Sequence, residues 1–339
     1  MPKIDVHLHV SPESADVALR VMAENGIALG LNLSGGEPGD GLEAALAISS
    51  QSGGRLPPLC NLRFGRVVRP DFADYVRAAL ERCKQLGAKG LKIYKSLGLG
   101  VTDETGKLVP VDDPRLDVVF ETAGKLGLPV LIHSGDPKAF FEPNTPANER
   151  YDELRVHPSW SFYGLSPNGL PWPSWEELLR QLEARIARHP GTTFVGAHFG
   201  NAAEEPERVA RMLSTYPNYF IDTAARVPEF GRHPAERMRR FFVQFQDRVL
   251  FGSDLGVSAE GLTLGSGGGR PGTVTEARTF FSRHFAYFET SGQHMPHPTP
   301  IQGRWTIDGI GLPRDVLQKL YFRNAQRVFG LTFPVPRPG

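Results

Sequence analysis

Cysteine is almost missing from this chain. Among 339 residues there are two, Cys60 and Cys83, with no C-x-x-C spacing between them. A disulfide framework and a thiolate zinc site are thereby excluded, and a reducing compartment fits. An excess of either charge is missing too: 38 Lys and Arg face 37 Asp and Glu, for a formal net charge of +1. Nothing therefore steers the molecule toward nucleic acid or an anionic membrane. No apolar run approaches the roughly 18 residues that cross a bilayer, and His7 and His9 come too early for a secretory signal. The expected setting is cytoplasmic, with a small molecule as the partner and a homo-oligomer compatible. No G-x-G-x-x-G turn follows a strand-like run, which weakens the dinucleotide-binding alternative.

What is present is a repeated alternation. Hydrophobic residues make up 40% and charged residues 22%, the mix of a chain with a sizeable core. Eight extended apolar runs recur: Lys3–His9, Ile27–Ser34, Leu56–Gly65, Lys89–Ser96, Pro129–Ser134, Thr193–Phe199, Tyr219–Thr223 and Val249–Asp254. Most are short and aliphatic or β-branched, as strands covered on both faces should be. Helix signals lie between them. Asp71 opens a helix with Phe72, Val76, Ala79, Leu80 and Cys83 on one face, closed by Gly87. Asp113-Pro114 opens another that ends near Gly127. Ser174-Trp175-Glu176-Glu177 is a capping box, and Pro190-Gly191 ends that helix. The alternation predicts an α/β fold in one domain over residues 1–339, a single (β/α)8 TIM barrel more than an open doubly wound sheet.

Two connections are too long for ordinary loops. Asp136–Pro173 follows the fifth run and is rich in Pro, Asn and aromatics. Gly256–Gly311 follows the eighth, and holds the run Gly265-Ser266-Gly267-Gly268-Gly269 and a predicted helix near Thr275–Thr290. Both should sit at the carboxyl-end mouth of a barrel as binding loops.

Alternation along a strand decides which side chains face the lumen. In the first run Ile4, Val6 and Leu8 suit the helical shell, which leaves Asp5, His7 and His9 inward. The same parity turns Val130 and Ile132 outward and His133 inward, Val195 and Ala197 outward and His198 inward, Val249 and Phe251 outward and Asp254 inward. Leu91 and Ile93 outward leave Lys92 and Tyr94 inward. A lone histidine in such a place is an ordinary hydrogen-bonded core group. An H-x-H pair with two more histidines and an aspartate at the same strand ends points instead to a metal held by His7, His9, His133 and Asp254. Lys92 with Tyr94, Arg63 near the third run and Arg226 past the seventh are candidates for gripping a substrate carboxylate, with a structural ion pair the alternative for Lys92 and an equal one for each arginine. The remaining histidines, among them His189, His284 and His297, read mostly as surface groups.

Ile4-Asp5-Val6-His7-Leu8-His9, Leu131-Ile132-His133, Gly196-Ala197-His198 and Phe251-Gly252-Ser253-Asp254 resemble the motifs of the amidohydrolase superfamily. The most similar branch is the amidohydrolase-related group that includes aminocarboxymuconate-semialdehyde decarboxylase and pyrone-dicarboxylate lactonase. Leu320-Tyr321-Phe322-Arg323-Asn324-Ala325 looks like that group's terminal helix. The resemblance implies His7, His9 and His133 as nitrogen ligands and Asp254 as an oxygen ligand. The ion would be divalent, zinc first, with manganese or iron compatible. It further implies Asp254 as acceptor of a water proton and His198 as the group that polarises the substrate or protonates the leaving group. In binuclear relatives a carboxylated lysine bridges two metals, a second role for Lys92. The expected activity is hydrolysis of a small lactone, ester or amide by metal-activated water at one metal. Ser134-Gly135-Asp136-Pro137 tilts the reading that way. Non-oxidative decarboxylation of an aromatic or unsaturated acid is the alternative, and a non-catalytic barrel the third.

Overall fold

The structure is a computed structural model that describes residues 1–267 and 269–333. Gly268, in the glycine run singled out above, lies outside the described residues. The first sheet contains β1 (Lys3–Val10), β2 (Ile27–Asn32), β8 (Leu255–Ser258) and β9 (Gly261–Leu264), in the order β2-β1-β8-β9. The second runs β3 (Leu91–Ile93), β4 (Val130–Ile132), β5 (Phe194–Gly196), β6 (Tyr219–Asp222) and β7 (Val249–Leu250), in that order. All pairings in both are parallel except the β8–β9 hairpin.

Backbone hydrogen bonds join the two sheets at both seams. At one, residues 55–60 lie between β2 and β3: Gly30 N donates to Arg55 O at 2.9 Å, Leu59 N to Asn32 O at 2.9 Å, and Lys92 N to Cys60 O at 2.8 Å. This is the expected third strand, reduced to bridges. Pro57 and Pro58 carry no N–H, so the ladder has gaps there, and the chain turns into a short helix at Phe64–Val68 instead of continuing to Gly65. At the other seam, Val6 N donates to Phe251 O and Asp254 N to His7 O, both at 3.0 Å. The expected eighth strand thus breaks into β7 and β8, changing partner from β6 to β1 between Phe251 and Asp254.

Strand side chains sort into two apolar clusters. Leu91, Ile93, Val130, Ile132, Phe194, Ile221, Val249 and Phe251 pack outward against helix residues such as Val76, Leu80, Val119, Leu182 and Ile186. Leu29, Leu31, Leu59, Leu131, Val195, Ala197 and Leu250 form an inner cluster with Ala325, Phe329 and Leu331 of the C-terminal segment. Two of the parity expectations fail here. Ile4 and Val6 belong to the inner cluster while Leu8 packs outward, because β1 slips register against β2 between Asp5 and Leu8. One extra residue there reverses the alternation, which is what a bulge does. Val195 and Ala197 also face inward, so strand parity is not what delivers His198.

The helix signals hold in outline. The helix Phe72–Leu86 ends at Gly87 (φ 97°) and Asp117–Leu126 at Gly127 (φ 62°), both left-handed. Ser174 accepts from Glu177 N at the start of Trp175–Arg188. The helix expected near Thr275–Thr290 is Val274–Glu289, opened by a full capping box between Thr273 and Glu276. No described helix is long and apolar enough to cross a membrane. His189, His284 and His297 are buried, not surface groups, and each ring bonds a backbone carbonyl.

Candidate functional site

His7, His9, His133, His198 and Asp254 meet at the carboxyl ends of the strands. Ring centroids lie 5.4 Å apart for His7–His9, 4.7 Å for His7–His198 and 4.2 Å for His133–His198. Asp254 Oδ1 stands 3.5 Å from His7 Nε2 and 3.6 Å from His9 Nε2. Two of these residues sit in left-handed backbone, His198 at φ 56° and Asp254 at φ 64°. Non-glycine residues pay of order 1–3 kcal/mol for such conformations, which persist where surrounding contacts over-determine them. At His198 the strand has ended and the turn itself aims the ring. At Asp254 the turn lies where β7 gives way to β8.

The hydrogen bonds fix which nitrogen each ring presents. Carbonyls and carboxylates only accept. His198 Nδ1 donates to Ala224 O at 3.0 Å, and His7 Nδ1 donates to Asp222 Oδ2 at 2.8 Å when that carboxyl is ionised. Tyr94 OH donates to Leu33 O at 2.9 Å, so it accepts from Ser34 Oγ at 3.2 Å, and Ser34 in turn accepts from His9 Nδ1 at 2.8 Å. His9 and His198 therefore carry the proton on Nδ1 and present a bare Nε2, and His7 does the same opposite an ionised Asp222. His7 Nε2 is buried with no hydrogen-bond partner. Burial drives the His7 and His198 pKa values well down, with neighbouring cations and histidines adding to it, and takes His9 to about 3 and His133 to about 4. Burial raises Asp254 to about 6, with Lys92 and Arg226 opposing.

Neutral imidazoles beside one carboxylate form a donor set suited to a divalent ion. Ligands at about 2.0–2.1 Å around a tetrahedral zinc stand about 3.3 Å apart, close to the 3.5 and 3.6 Å separations from Asp254. Among the described residues, His7, His198 and Asp254 each offer a donor atom within 4.8 Å of the others. His133 differs, since its Nε2 faces Asp136 Oδ1 at 3.4 Å.

A cavity of ≈ 180 Å³ opens over this cluster. Both long connections contribute to its wall: Phe140, Glu153 and Trp160 from the first, Gly265, Ser266 and Gln302 from the second. His157 Nε2 against Gly267 O (2.7 Å), Arg304 on Asp152 (2.7 Å) and Ser266 on Glu153 tie these connections together. Glu153 is itself ion-paired with the fully buried Arg150, which also pairs with Glu229. Lys92 and Arg226 line the cavity. Lys92 Nζ is buried without a hydrogen-bond partner among the described residues, and burial lowers its pKa to about 8 against the pull of Asp222 and Asp254. Arg226 donates to Ala225 O. Arg63 is not brought to the cavity: 60% exposed, it pairs with Glu37 and Asp40.

Several groups escaped the sequence reading. Asp222 is fully buried, and burial lifts its pKa to about 7 while the His198 N–H and Lys92 oppose the rise. Its signal was present, since Tyr219 and Ile221 facing outward place Asp222 inward at a strand end. Asp5 accepts from His7 N and Ser253 N, pinning β1 to the turn before Asp254. Lys95 holds Asp136 at 2.5 Å, and with His133 keeps that carboxyl low despite burial. Ser34 carried no motif.

The carboxyl ends of parallel strands, where these histidines and the carboxylate gather, are where α/β barrel enzymes build their sites. Residues 58–331 match the family model described as amidohydrolase, and the chain belongs to that family. No curated protein matches it in sequence. Solved structures share its fold. An uncharacterized TIM-barrel protein from Bordetella bronchiseptica superposes with a TM-score of 0.54 at 15% identity, covering 97% of this chain and 99% of that one. A dihydroxybenzoic acid decarboxylase from Polaromonas, holding manganese and the inhibitor 2-nitroresorcinol, gives 0.55 at 14% identity, covering 97% of each chain. A probable 2-pyrone-4,6-dicarboxylic acid hydrolase from Acinetobacter baumannii, with citric acid bound, gives 0.50 at 12% identity over 98% of this chain and 100% of that one.

Proposed function

We propose that the chain is a metal-dependent hydrolase of a small carboxylate-bearing lactone, ester or amide, and that β1, β2, residues 55–60 and β3 to β7 form one closed eight-stranded barrel in a single domain. The observation that carries the reading is the convergence of bare Nε2 atoms on Asp254 beneath a small cavity. His7, His9 and Asp254 hold the ion, zinc or else manganese or iron, with His133 as the expected fourth ligand. When bound, such an ion acts as a Lewis acid toward the substrate oxygen and lowers the pKa of water.

The chain's own residues supply the rest. Asp254 accepts the proton of the attacking water. His198 starts without a proton on Nε2, because its Nδ1–H is engaged by Ala224 O. It therefore acts first as an acceptor in the relay from Asp254, whose donor atom lies within 4.8 Å, and then as the donor to the leaving group. This reverses the donor-first role implied by resemblance. Lys92 and Arg226 grip a carboxylate, and Tyr94, Phe140 and Trp160 stack on a planar ring. An apolar cavity of about 150 Å³ admits benzene, so ≈ 180 Å³ suits one small ring with polar substituents.

A second ligand arrangement has its own support, since His198 shares the close group with His7 and Asp254 while His133 turns to Asp136. Metal content of His133→Ala against His198→Ala separates the two. Decarboxylation is the second reaction reading, favoured by the partnerless Lys92 Nζ in the cavity wall. A panel of lactones, esters, amides and aromatic acids, scored for acid release and for CO₂, tests both. Turnover of the acids alone with CO₂ release overturns hydrolysis, and no turnover of any class with metal loaded favours the non-catalytic barrel.

A further inference from the structure

Asp222 reaches two of the site's histidines from behind. Its Oδ2 accepts from His7 Nδ1 at 2.8 Å. Its Oδ1 accepts from His198 N at 2.8 Å and from Ala224 N at 3.0 Å. Ala224 in turn takes the His198 Nδ1 proton on its carbonyl at 3.0 Å. The carboxylate is wholly buried, and space beside it is closed: a Cβ at Gly252 would stand 3.0 Å from His7 Cβ and 3.5 Å from Asp222 Cβ. The His198 and Ala224 N–H groups donate to Oδ1, and with Asp222 ionised His7 Nδ1 donates to Oδ2, so a group with acceptors on both arms satisfies all three.

We infer that Asp222 is a positioning residue that sets the tautomer of His7 and the left-handed turn of His198 together, coupling the ends of β1, β5 and β6 into one preorganised donor set. The inference rests on the metal-site reading above. Its consequence is specific to hydrogen-bond polarity, not to shape. In Asp222→Asn the amide oxygen is required by the two backbone N–H groups, which leaves the amide N–H₂ facing His7 Nδ1. His7 Nδ1 then has to accept, the ring proton moves to Nε2, and an N–H points where a lone pair is needed. The Ser34 contact to His9 is a natural comparison, because the His9 side chain is 29% exposed and water can replace the hydroxyl.

The experiment titrates chelator-stripped protein with Zn²⁺ against a competing chelator. Asp222→Asn is expected to weaken zinc binding about 10- to 100-fold with unchanged circular dichroism. Ser34→Ala should weaken it by less than about fivefold. Nitrogen-15 spectra of histidine-labelled, metal-free protein give a readout independent of any variant's folding, and His7 should carry its proton on Nδ1 in the unmutated chain. Zinc affinity of a folded Asp222→Asn within about twofold of the parent, or His7 protonated on Nε2 in the parent, overturns the inference. A parent that binds no zinc defeats the metal-site reading instead, while the tautomer measurement still decides the role of Asp222.

Discussion

The two sides of the site treat their polar atoms in opposite ways. On the side of β1 and the ends of β6 and β7, the groups are tied down: His7 to Asp222, His9 through Ser34 and Tyr94 to Leu33 O, His7 N and Ser253 N to Asp5. On the side of β3 and the turn after β6, cationic groups are left open toward the cavity, Lys92 Nζ without a partner and Arg226 with a bond only to its neighbour's carbonyl. A buried cation without a partner is costly, and an anionic ligand relieves that cost. The tied side is built to hold something that stays. The open side is built for something that comes and goes.

Mutations should separate the sides by what they change. The largest effect belongs to the tied side: His7→Ala with His9→Ala should abolish both metal binding and turnover. Retention of metal by that double variant would break the comparison at its root. Asp254→Asn should also remove activity, and its metal content tells whether the carboxylate serves as ligand, proton acceptor or both. His198→Ala is expected to lower kcat by about 10²–10⁴ with metal retained, and loss of the metal instead makes His198 a ligand.

The open side should respond in KM. Lys92→Met and Arg226→Met each remove a charged hydrogen bond to the substrate, about 1.5–3 kcal/mol, or roughly 10- to 100-fold in KM, with metal content unchanged. Lys92→Met losing metal would point to a bridging role between two ions. The smallest effect belongs to Arg63→Ala. Its pair with Asp40 is solvent-facing and its pair with Glu37 is exposed on the arginine side, exposed pairs contribute about 0–1 kcal/mol, and neither lines the cavity, so activity should stay within about twofold.

Much of this division was legible in the chain. The order of strands and helices follows from period and the H-x-H pair from its place at the end of β1, whereas Asp254 is delivered by the left-handed turn between β7 and β8. Other features depend on a single residue's backbone. The register slip in β1 that turns Ile4 and Val6 inward leaves no trace in hydrophobic period. The left-handed turn that aims His198 is set by contacts to Asp222 and Ala224, not by glycine or asparagine at that position. Pro57-Pro58 should have warned that the third strand would be incomplete. For Arg63 the ion pair, not the carboxylate grip, is what the structure shows, and sequence left the two open because a strand end and a surface turn look alike when the strand's length is unknown. Asp222 obeyed the parity rule that located His133, and only its lack of a motif hid it.

The central claim is that the tied side holds a divalent cation. Elemental analysis of the purified chain, beside His7→Ala with His9→Ala prepared identically, tests it most directly. The account predicts about one divalent transition metal ion per parent chain, removed by chelator together with activity, and none in the double variant. A metal-free parent that is fully active and indifferent to chelator would contradict it.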